Sequence, residues 1–328
     1  MGASDGGMKD RHLIWLNWPE RPFRLCAADL RLFRSLVGGA EVKAVRSRRA
    51  FLKELPSATH AICWEFSSEW FPMAHRLRVL ATPGAGRELL PSESELPEGV
   101  RKYHGEFHGA IMSETVVAYM LAWCRGLYPA YDWQRSGNAS DLWRRAALGE
   151  RCFTLAGTKA VILGYGRIGR TVGKKLEALG VEVKGIRRRN VAELPDAAAR
   201  ADWLICVLPS DTGTDNMVDA GVLRRMKRSA VLINVGRGNA VDEKALASAL
   251  RRRRLAAAFL DVFKREPLTA ESPLAGDIPG LFRFPHASAF SPDYLARFFR
   301  ELAERGVLEI CGKKTGQPSK ISRRGVKK

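Results

Sequence analysis

The chain has 328 residues, enough for about two domains, and 46% of them are hydrophobic, so material for a packed core is ample. Fifty-four Lys and Arg stand against 35 Asp and Glu, a formal net charge of +19. The longest apolar stretch, Thr115–Cys124, is about half of the ~20 residues that a bilayer-spanning helix needs, which argues against a membrane protein of that kind.

Over Leu13–Pro83 short apolar runs alternate with polar, helical-looking stretches. Leu13–Leu16, Val42–Val45, Ala61–Trp64 and Val79–Ala81 read as strands, and Phe33–Val37 sits in a helix between two of them. Ser113 is predicted to cap a helix carrying Val116, Val117, Met120, Leu121 and Cys124 at helical spacing. Residues 128–150, with Trp133 and Trp143, read as a polar connection. A second alternation starts at Lys159. Ala160–Leu163, Val181–Ile186, Trp203–Leu208, Val231–Asn234 and Ala256–Leu260 are predicted strands. Between the first two, Ile168, Val172, Leu176 and Leu179 share one helical face. Asp242 caps a helix that reaches Arg251–Arg254, and a last helix runs from Tyr294 to about Cys311. The repeat of strand and helix predicts an α/β fold with doubly wound parallel sheets.

Gly164, Gly166, Arg167, Ile168 and Gly169 belong to a G-x-G-x-x-G loop that follows a strand and opens an amphipathic helix. In that context the loop predicts dinucleotide binding: glycines let the backbone approach a pyrophosphate, and the helix N-terminus offers free N–H groups. An NAD site would place a carboxylate at the end of the next strand, to accept from the ribose hydroxyls. Here that strand ends in Arg187, Arg188 and Arg189, which can bind a 2′-phosphate instead, so NADP(H) is favoured over NAD(H).

Three segments follow in order: Asn234–Gly238, Asp261–Leu268 and Pro285–Ser288. Behind a dinucleotide loop, they resemble the D-2-hydroxyacid dehydrogenase family, which includes glyoxylate/hydroxypyruvate reductases and D-lactate and phosphoglycerate dehydrogenases. The resemblance is strong over 143–294 and weaker in the first 80 residues. It implies that Arg237 binds the substrate carboxylate and polarises the 2-oxo group. His286 would be the acid/base, with Glu266 on its other ring nitrogen, raising its pKa. Asp261 would lie near the nicotinamide carboxamide, with Val235 and Gly236 beside the ring and Pro209 and Thr214 along the cofactor. Gly84, Ala85 and Gly86 match the loop whose N–H groups hold the substrate carboxylate, and Glu88 matches an acidic position just after it. Glu114 matches a glutamate at the start of an interdomain helix. Gly236 and Ser288 depart from common family residues. Trp64, Glu65 and Phe66 fall in a pocket-shaping region, although core packing explains Trp64 as well.

The implied architecture is a Rossmann-type cofactor domain over 112–288 and a smaller flavodoxin-like α/β substrate domain from 1–111 and 289–328, with the active site between them. The implied reaction interconverts a 2-oxo acid and a D-2-hydroxy acid, with glyoxylate or hydroxypyruvate reduction leading. A nucleotide-sensing corepressor on the same fold is the alternative. A homodimer is expected by resemblance.

Met1–Arg11 is polar and lacks the apolar core of a signal peptide. Cys26, Cys63, Cys124, Cys152, Cys206 and Cys311 form no C-x-x-C pair, and His12, His60, His75, His104 and His108 show no ligand spacing, so no metal site is expected. These features fit a reduced, cytoplasmic protein. The basic runs Arg187–Arg189, Arg224–Arg228 and Arg251–Arg254 read as solvated faces, and nucleic acid is a disfavoured partner because no binding module accompanies them. The tail Lys313–Lys328, with seven basic and no acidic residues, could bind polyanions weakly.

Overall fold

The computed structural model describes residues 10–138, 140 and 143–308. The basic tail and Cys311 lie outside the described residues. The chain divides into two compact units. One comprises the residues up to Pro83, Pro91–Tyr103 and those from Leu295 on; the other comprises Gly84–Leu90 and His104–Tyr294.

In the first unit, β1 (Arg11–Trp15), α1 (Ala27–Leu36), β2 (Glu41–Ala44), α2 (Arg48–Glu54), β3 (His60–Cys63), β4 (Val79–Thr82) and β5 (Arg101–His104) follow one another. The strands order as β2-β1-β3-β4-β5, the flavodoxin-like arrangement. Pairings of β1 with β2, β1 with β3 and β3 with β4 are parallel. β3 and β4 are buried throughout, as strands covered on both faces must be. Ser47 caps α2 by accepting from the Ala50 N–H at 3.2 Å. β5 carries no apolar alternation and was not legible as a strand.

The second unit starts with α3 (His108–Cys124), α4 (Leu127–Arg135) and α5 (Arg145–Gly149). Then come β6 (Lys159–Leu163), α6 (Arg167–Ala178), β7 (Glu182–Ile186), α7 (Leu194–Arg200), β8 (Trp203–Cys206), α8 (Ala220–Arg225), β9 (Val231–Asn234), α9 (Glu243–Arg251), β10 (Ala257–Leu260) and β11 (Leu281–Arg283). α10 (Tyr294–Glu304) carries the chain into the first unit, where Phe299 meets Phe33 of α1 at 4.8 Å between ring centroids. The six strands order as β11-β10-β9-β8-β6-β7, all pairings parallel.

Both faces of this sheet are covered. On one, Met112, Val116 and Met120 of α3 and Val172 and Leu176 of α6 pack on Ile162, Trp203, Ile205 and Phe259. On the other, Leu194 and Ala198 of α7, Leu223 of α8 and Leu246 and Leu250 of α9 cover Val161, Leu204, Leu232 and Ala258. Each large side chain so buried contributes about 1.5–3 kcal/mol of transfer free energy. Asp242 caps α9 as expected, accepting from the Ala245 N–H at 3.0 Å.

Four expectations need correction. Ser113 is no cap: α3 begins at His108, and the buried Ser113 hydroxyl donates back to the Ala110 carbonyl at 3.0 Å within the helix. Glu114 is likewise inside α3 rather than at its start, and pairs with Lys175 at 3.2 Å. The connection 128–150 contains α4 and α5, whose polar faces mask their periodicity. Leu179 lies just beyond α6 and is exposed, because the helix ends before that turn completes the apolar stripe. Of the basic runs, Arg224, Arg225, Arg228 and Arg251–Arg253 are exposed and Arg254 donates to the Arg224 carbonyl at 2.6 Å, but Arg187 is half-buried and bonded into the glycine loop rather than solvated.

Candidate active site

Every strand of the six-stranded sheet runs parallel to its neighbours, so the loops at their C-terminal ends share one edge, where such sheets bind ligands. That edge holds the residues picked from sequence. Gly164–Gly169 follow β6, Arg187–Arg189 follow β7 and Pro209 and Thr214 follow β8. Val235–Arg237 follow β9, Asp261 and Glu266 follow β10, and His286 follows β11.

The glycine loop turns sharply. Gly164 adopts φ +93°, and a Cβ there would stand 2.6 Å from the Val207 carbonyl oxygen, so no other residue fits without a shift. A Cβ on Gly166 would meet nothing within 4 Å, which leaves open space over the first turn of α6. The first N–H groups of that helix lack intrahelical acceptors, and its positive end faces the same space. Ile168 packs into the core beneath, while Arg167 is exposed. Strand, turn, open cradle and helix end fit a pyrophosphate, and the group that this arrangement fits is a dinucleotide.

At the end of β7, the backbone N–H of Arg187 donates to Asn190 Oδ1 at 2.7 Å, and its Nε donates to the Tyr165 carbonyl at 2.7 Å. The side chain therefore lies along the glycine loop, its guanidinium 6.0 Å from the Tyr165 ring. Arg188 is almost fully exposed, 3.6 Å from Asp211, and Arg189 is exposed as well. Thr214 is buried and ties its loop by donating to the Pro209 carbonyl at 3.0 Å.

After β9, Asn234 organises the turn. Its Oδ1 accepts from the Gly236 N–H at 3.1 Å and its Nδ2 donates to the Arg237 carbonyl at 3.0 Å. Val235 is buried. Arg237 donates through Nε and Nη2 to Glu88 Oε1, at 3.1 and 2.9 Å, and through Nη1 to the Gly236 carbonyl at 3.0 Å. Gly84–Gly86 precede Glu88 in a segment that belongs to this same unit; Gly84 and Gly86 are buried and Ala85 is exposed.

His286 Nδ1 is 2.7 Å from Glu266 Oε2, and Glu266 Oε1 accepts from the Phe263 N–H at 2.9 Å. Glu266 accepts a hydrogen bond from Nδ1–H, which leaves Nε2 as the ring nitrogen free for substrate. The Glu266 bond and charge raise the His286 pKa above its ordinary value, against opposition from burial and Arg237. Burial works to raise the Glu266 carboxyl, but the bonds from His286 and Phe263 prevail and hold it below the usual range. His286 has a positive φ of 52°, a strained conformation for a side chain of this size. Asp261 sustains it. This fully buried carboxylate accepts from the Ala287 N–H at 2.8 Å and the Ser288 N–H at 2.9 Å, and its carbonyl accepts from the His286 N–H at 2.9 Å.

Residues 117–288 match the family model for the D-isomer specific 2-hydroxyacid dehydrogenase, NAD binding domain. The chain belongs to this family. It is 33% identical over 227 residues to a glyoxylate/hydroxypyruvate reductase B of Pectobacterium carotovorum, a match covering 65% of this chain and 69% of that protein. A D-isomer specific 2-hydroxyacid dehydrogenase family protein from Aeromonas salmonicida superposes with a TM-score of 0.73 at 28% identity, over 91% of this chain and 96% of that one. An NADPH-dependent glyoxylate/hydroxypyruvate reductase from Sinorhizobium meliloti, solved with NADP and malonate, superposes with a TM-score of 0.66 at 25% identity, over 91% and 92%. As a family member the chain is an oxidoreductase of 2-hydroxy acids, and its matched segment is a nicotinamide-dinucleotide-binding domain.

For three residues the structure shows a role that the sequence does not. Asn234 ends a predicted strand and opens the Asn234–Gly238 segment, but its turn-organising role rests on an Asn at a strand end feeding a tight turn, whose side chain bonds its own backbone. Glu88 matches a family acidic position, but nothing in the sequence pairs it with Arg237, 149 residues away. His108 is buried and bonds Tyr294 Oη at 2.8 Å; burial lowers its pKa to about 4, so it is a neutral structural partner at physiological pH. In the first unit, Trp64 donates to the Phe23 carbonyl at 3.1 Å and stands 5.5 Å from the Phe23 ring, a packing role.

Proposed function

We propose that the protein reduces a small 2-oxo acid to a D-2-hydroxy acid at the expense of NADPH, with glyoxylate and hydroxypyruvate the first candidates. The carrying observation is the His286–Glu266 pair, with Arg237 at the same sheet edge as an open glycine cradle. The dinucleotide, when bound, supplies the hydride for C2. The chain's own groups do the rest. Arg237, always charged, holds the substrate carboxylate and draws electron density toward the carbonyl oxygen. Gly84, Ala85 and Gly86 offer backbone N–H groups to the same carboxylate. His286 Nε2 donates the proton that the carbonyl oxygen needs, and Glu266 stabilises the imidazolium form until it does. Asp261, Val235, Gly236, Pro209 and Thr214 shape the nicotinamide side.

Preference for NADPH is supported by Arg187. It follows β7 where an NAD-type carboxylate is expected, its Nε bonded to the glycine-loop carbonyl of Tyr165, with Arg188 and Arg189 alongside. The Sinorhizobium and Pectobacterium relatives carry names that suit the substrate assignment. These enzyme names give the corepressor alternative no support. A homodimer is part of the same reading: Leu121, Leu127 and Tyr131 leave α3 and α4 with exposed apolar surface.

The test is loss of nicotinamide absorbance with NADPH or NADH against a panel of acids from glyoxylate to phenylpyruvate. Turnover should favour NADPH by at least about tenfold in kcat/KM, and His286→Ala should lower it by about 10²–10⁴-fold. Equal use of NADH would end the cofactor assignment. No turnover on any acid would end the enzymatic one.

A further inference from the structure

We propose that Glu88 is a positioning residue acting through Arg237: it takes the side edge of the guanidinium and so decides which N–H groups an incoming carboxylate meets. The inference rests on the reading of Arg237 as the substrate-carboxylate arginine. Both residues belong to one compact unit. A guanidinium carries five N–H groups. Glu88 Oε1 takes one from Nε and one from Nη2, and the Gly236 carbonyl takes one from Nη1. One N–H on each Nη remains, the pair suited to a planar carboxylate.

The ion pair packs directly against the glycine loop. A Cβ at Gly86 would stand 2.2 Å from Glu88 Oε1 and 2.4 Å from Arg237 Nη2, so a side chain there would push the flexible ends of the pair aside. Burial acts to raise the Glu88 carboxyl, but its own backbone N–H and Arg237 hold it below the ordinary range, so it stays charged at neutral pH. A substrate carboxylate therefore does not meet a free cation. It meets a near-neutral pair with two aimed donors, and recognition depends on geometry more than on net charge. A long arginine side chain without that hold would populate several rotamers, and misplacement of about 1 Å can cost about 10²-fold in rate.

The test uses the full chain and four variants: Glu88→Gln, Glu88→Ala, Arg237→Lys and the double change Arg237→Lys with Glu88→Ala. Two readouts are taken: kcat and KM with glyoxylate and hydroxypyruvate, and calorimetric affinity for oxalate. Glu88→Ala should lower kcat/KM by about 10- to 100-fold and weaken oxalate about tenfold. Glu88→Gln keeps an oxygen acceptor and should stay within about threefold of wild type. In the Arg237→Lys background, which lacks the forked edge, Glu88→Ala should add nothing, because the two residues act as one unit. Tighter oxalate binding by Glu88→Ala would make Glu88 a competitor for the arginine and overturn the proposal. An equal loss in Glu88→Gln, or an undiminished loss in the lysine background, would overturn it as well. A wild-type protein that binds oxalate with this variant pattern but reduces no acid sinks the proposed reaction and leaves the positioning role standing. A wild-type protein that ignores oxalate sinks the positioning role.

Discussion

The two units are built on closely related strand orders yet treat histidine in opposite ways. In the six-stranded sheet, His286 stands beyond the C-terminal end of its strand, half exposed, and Glu266 raises its pKa. In the five-stranded sheet, His12 of β1 and His60 of β3 sit in register on adjacent strands, with ring centroids 4.2 Å apart. Both are buried, and burial lowers them to about 3 and about 4. His60 Nδ1 meets Thr59 Oγ1 at 2.9 Å, whereas neither ring nitrogen of His12 has a partner among the described residues. The contrast shows what a parallel sheet does with polar chemistry. Side chains in the loops beyond the strands can be paired, aimed and charged; those within the strands are stripped of water and kept neutral.

The strongest way to break the contrast is to disable what holds His286 in the loop. Asp261→Asn replaces one carboxylate oxygen with an NH₂ group that must face the Ala287 or Ser288 N–H, two donors in contact inside the core. The strained backbone at His286 then loses its clamp. The expected outcome is a drop of about 10²-fold in reductive kcat/KM and about 1–3 kcal/mol in stability. Denaturant titration and steady-state kinetics on the same preparation check both. Activity within twofold of wild type would mean that the loop holds His286 without Asp261.

Why the sequence revealed one half of this contrast and not the other follows from separation along the chain. The glycine loop, the apolar runs of β6, β8, β9 and β10 and the capping Asp242 are local signals, each readable within a dozen residues. Glu266 and His286 were legible because their order and spacing resemble a family. The Asp261 clamp was not: an aspartate after a strand looks the same whether it faces a ligand or ties a loop 26 residues on. The His12–His60 pair depends on strand register across 48 positions, and β5 and β11 on neighbours that supply the apolar context their own residues lack.

Glu266→Gln sharpens the electrostatic half of the comparison with a smaller effect. A raised pKa keeps the proton-donating form of His286 available to higher pH, and Glu266 is the main cause. The stabilisation that this pair gives the fold is complete below the ordinary histidine value of 6.5 and fades as pH rises through the raised one. Removing the carboxylate charge should move the alkaline limb of the reductive pH–rate profile to lower pH and cost several-fold in rate on that side, while the acid side changes little. An alkaline limb that stays in place would assign it to another group.

The buried pair should respond at the other end of the pH scale, and through stability alone. His12 and His60 have depressed pKa values, so the unfolded chain takes up their protons first. Their full contribution is therefore present above about pH 6.5 and is lost as pH falls toward about 4 and about 3. At about pH 5 the linkage amounts to roughly 2 kcal/mol per histidine. Asp10 and Arg78 flank the pair, Asp10 favouring the proton on His60 and Arg78 opposing it on both rings, and burial outweighs either. Hydrogen exchange of the β1 and β3 amides at about pH 7.5 and about pH 5 reads the effect strand by strand. Wild type should lose protection on acidification, and His12→Leu, which fits beside Phe33 without a titrating ring, should lose roughly half as much. Equal losses in the two proteins would place the acid sensitivity elsewhere and remove His12 from the comparison, because a buried ring that never governs proton uptake is, in energetic terms, only another apolar side chain.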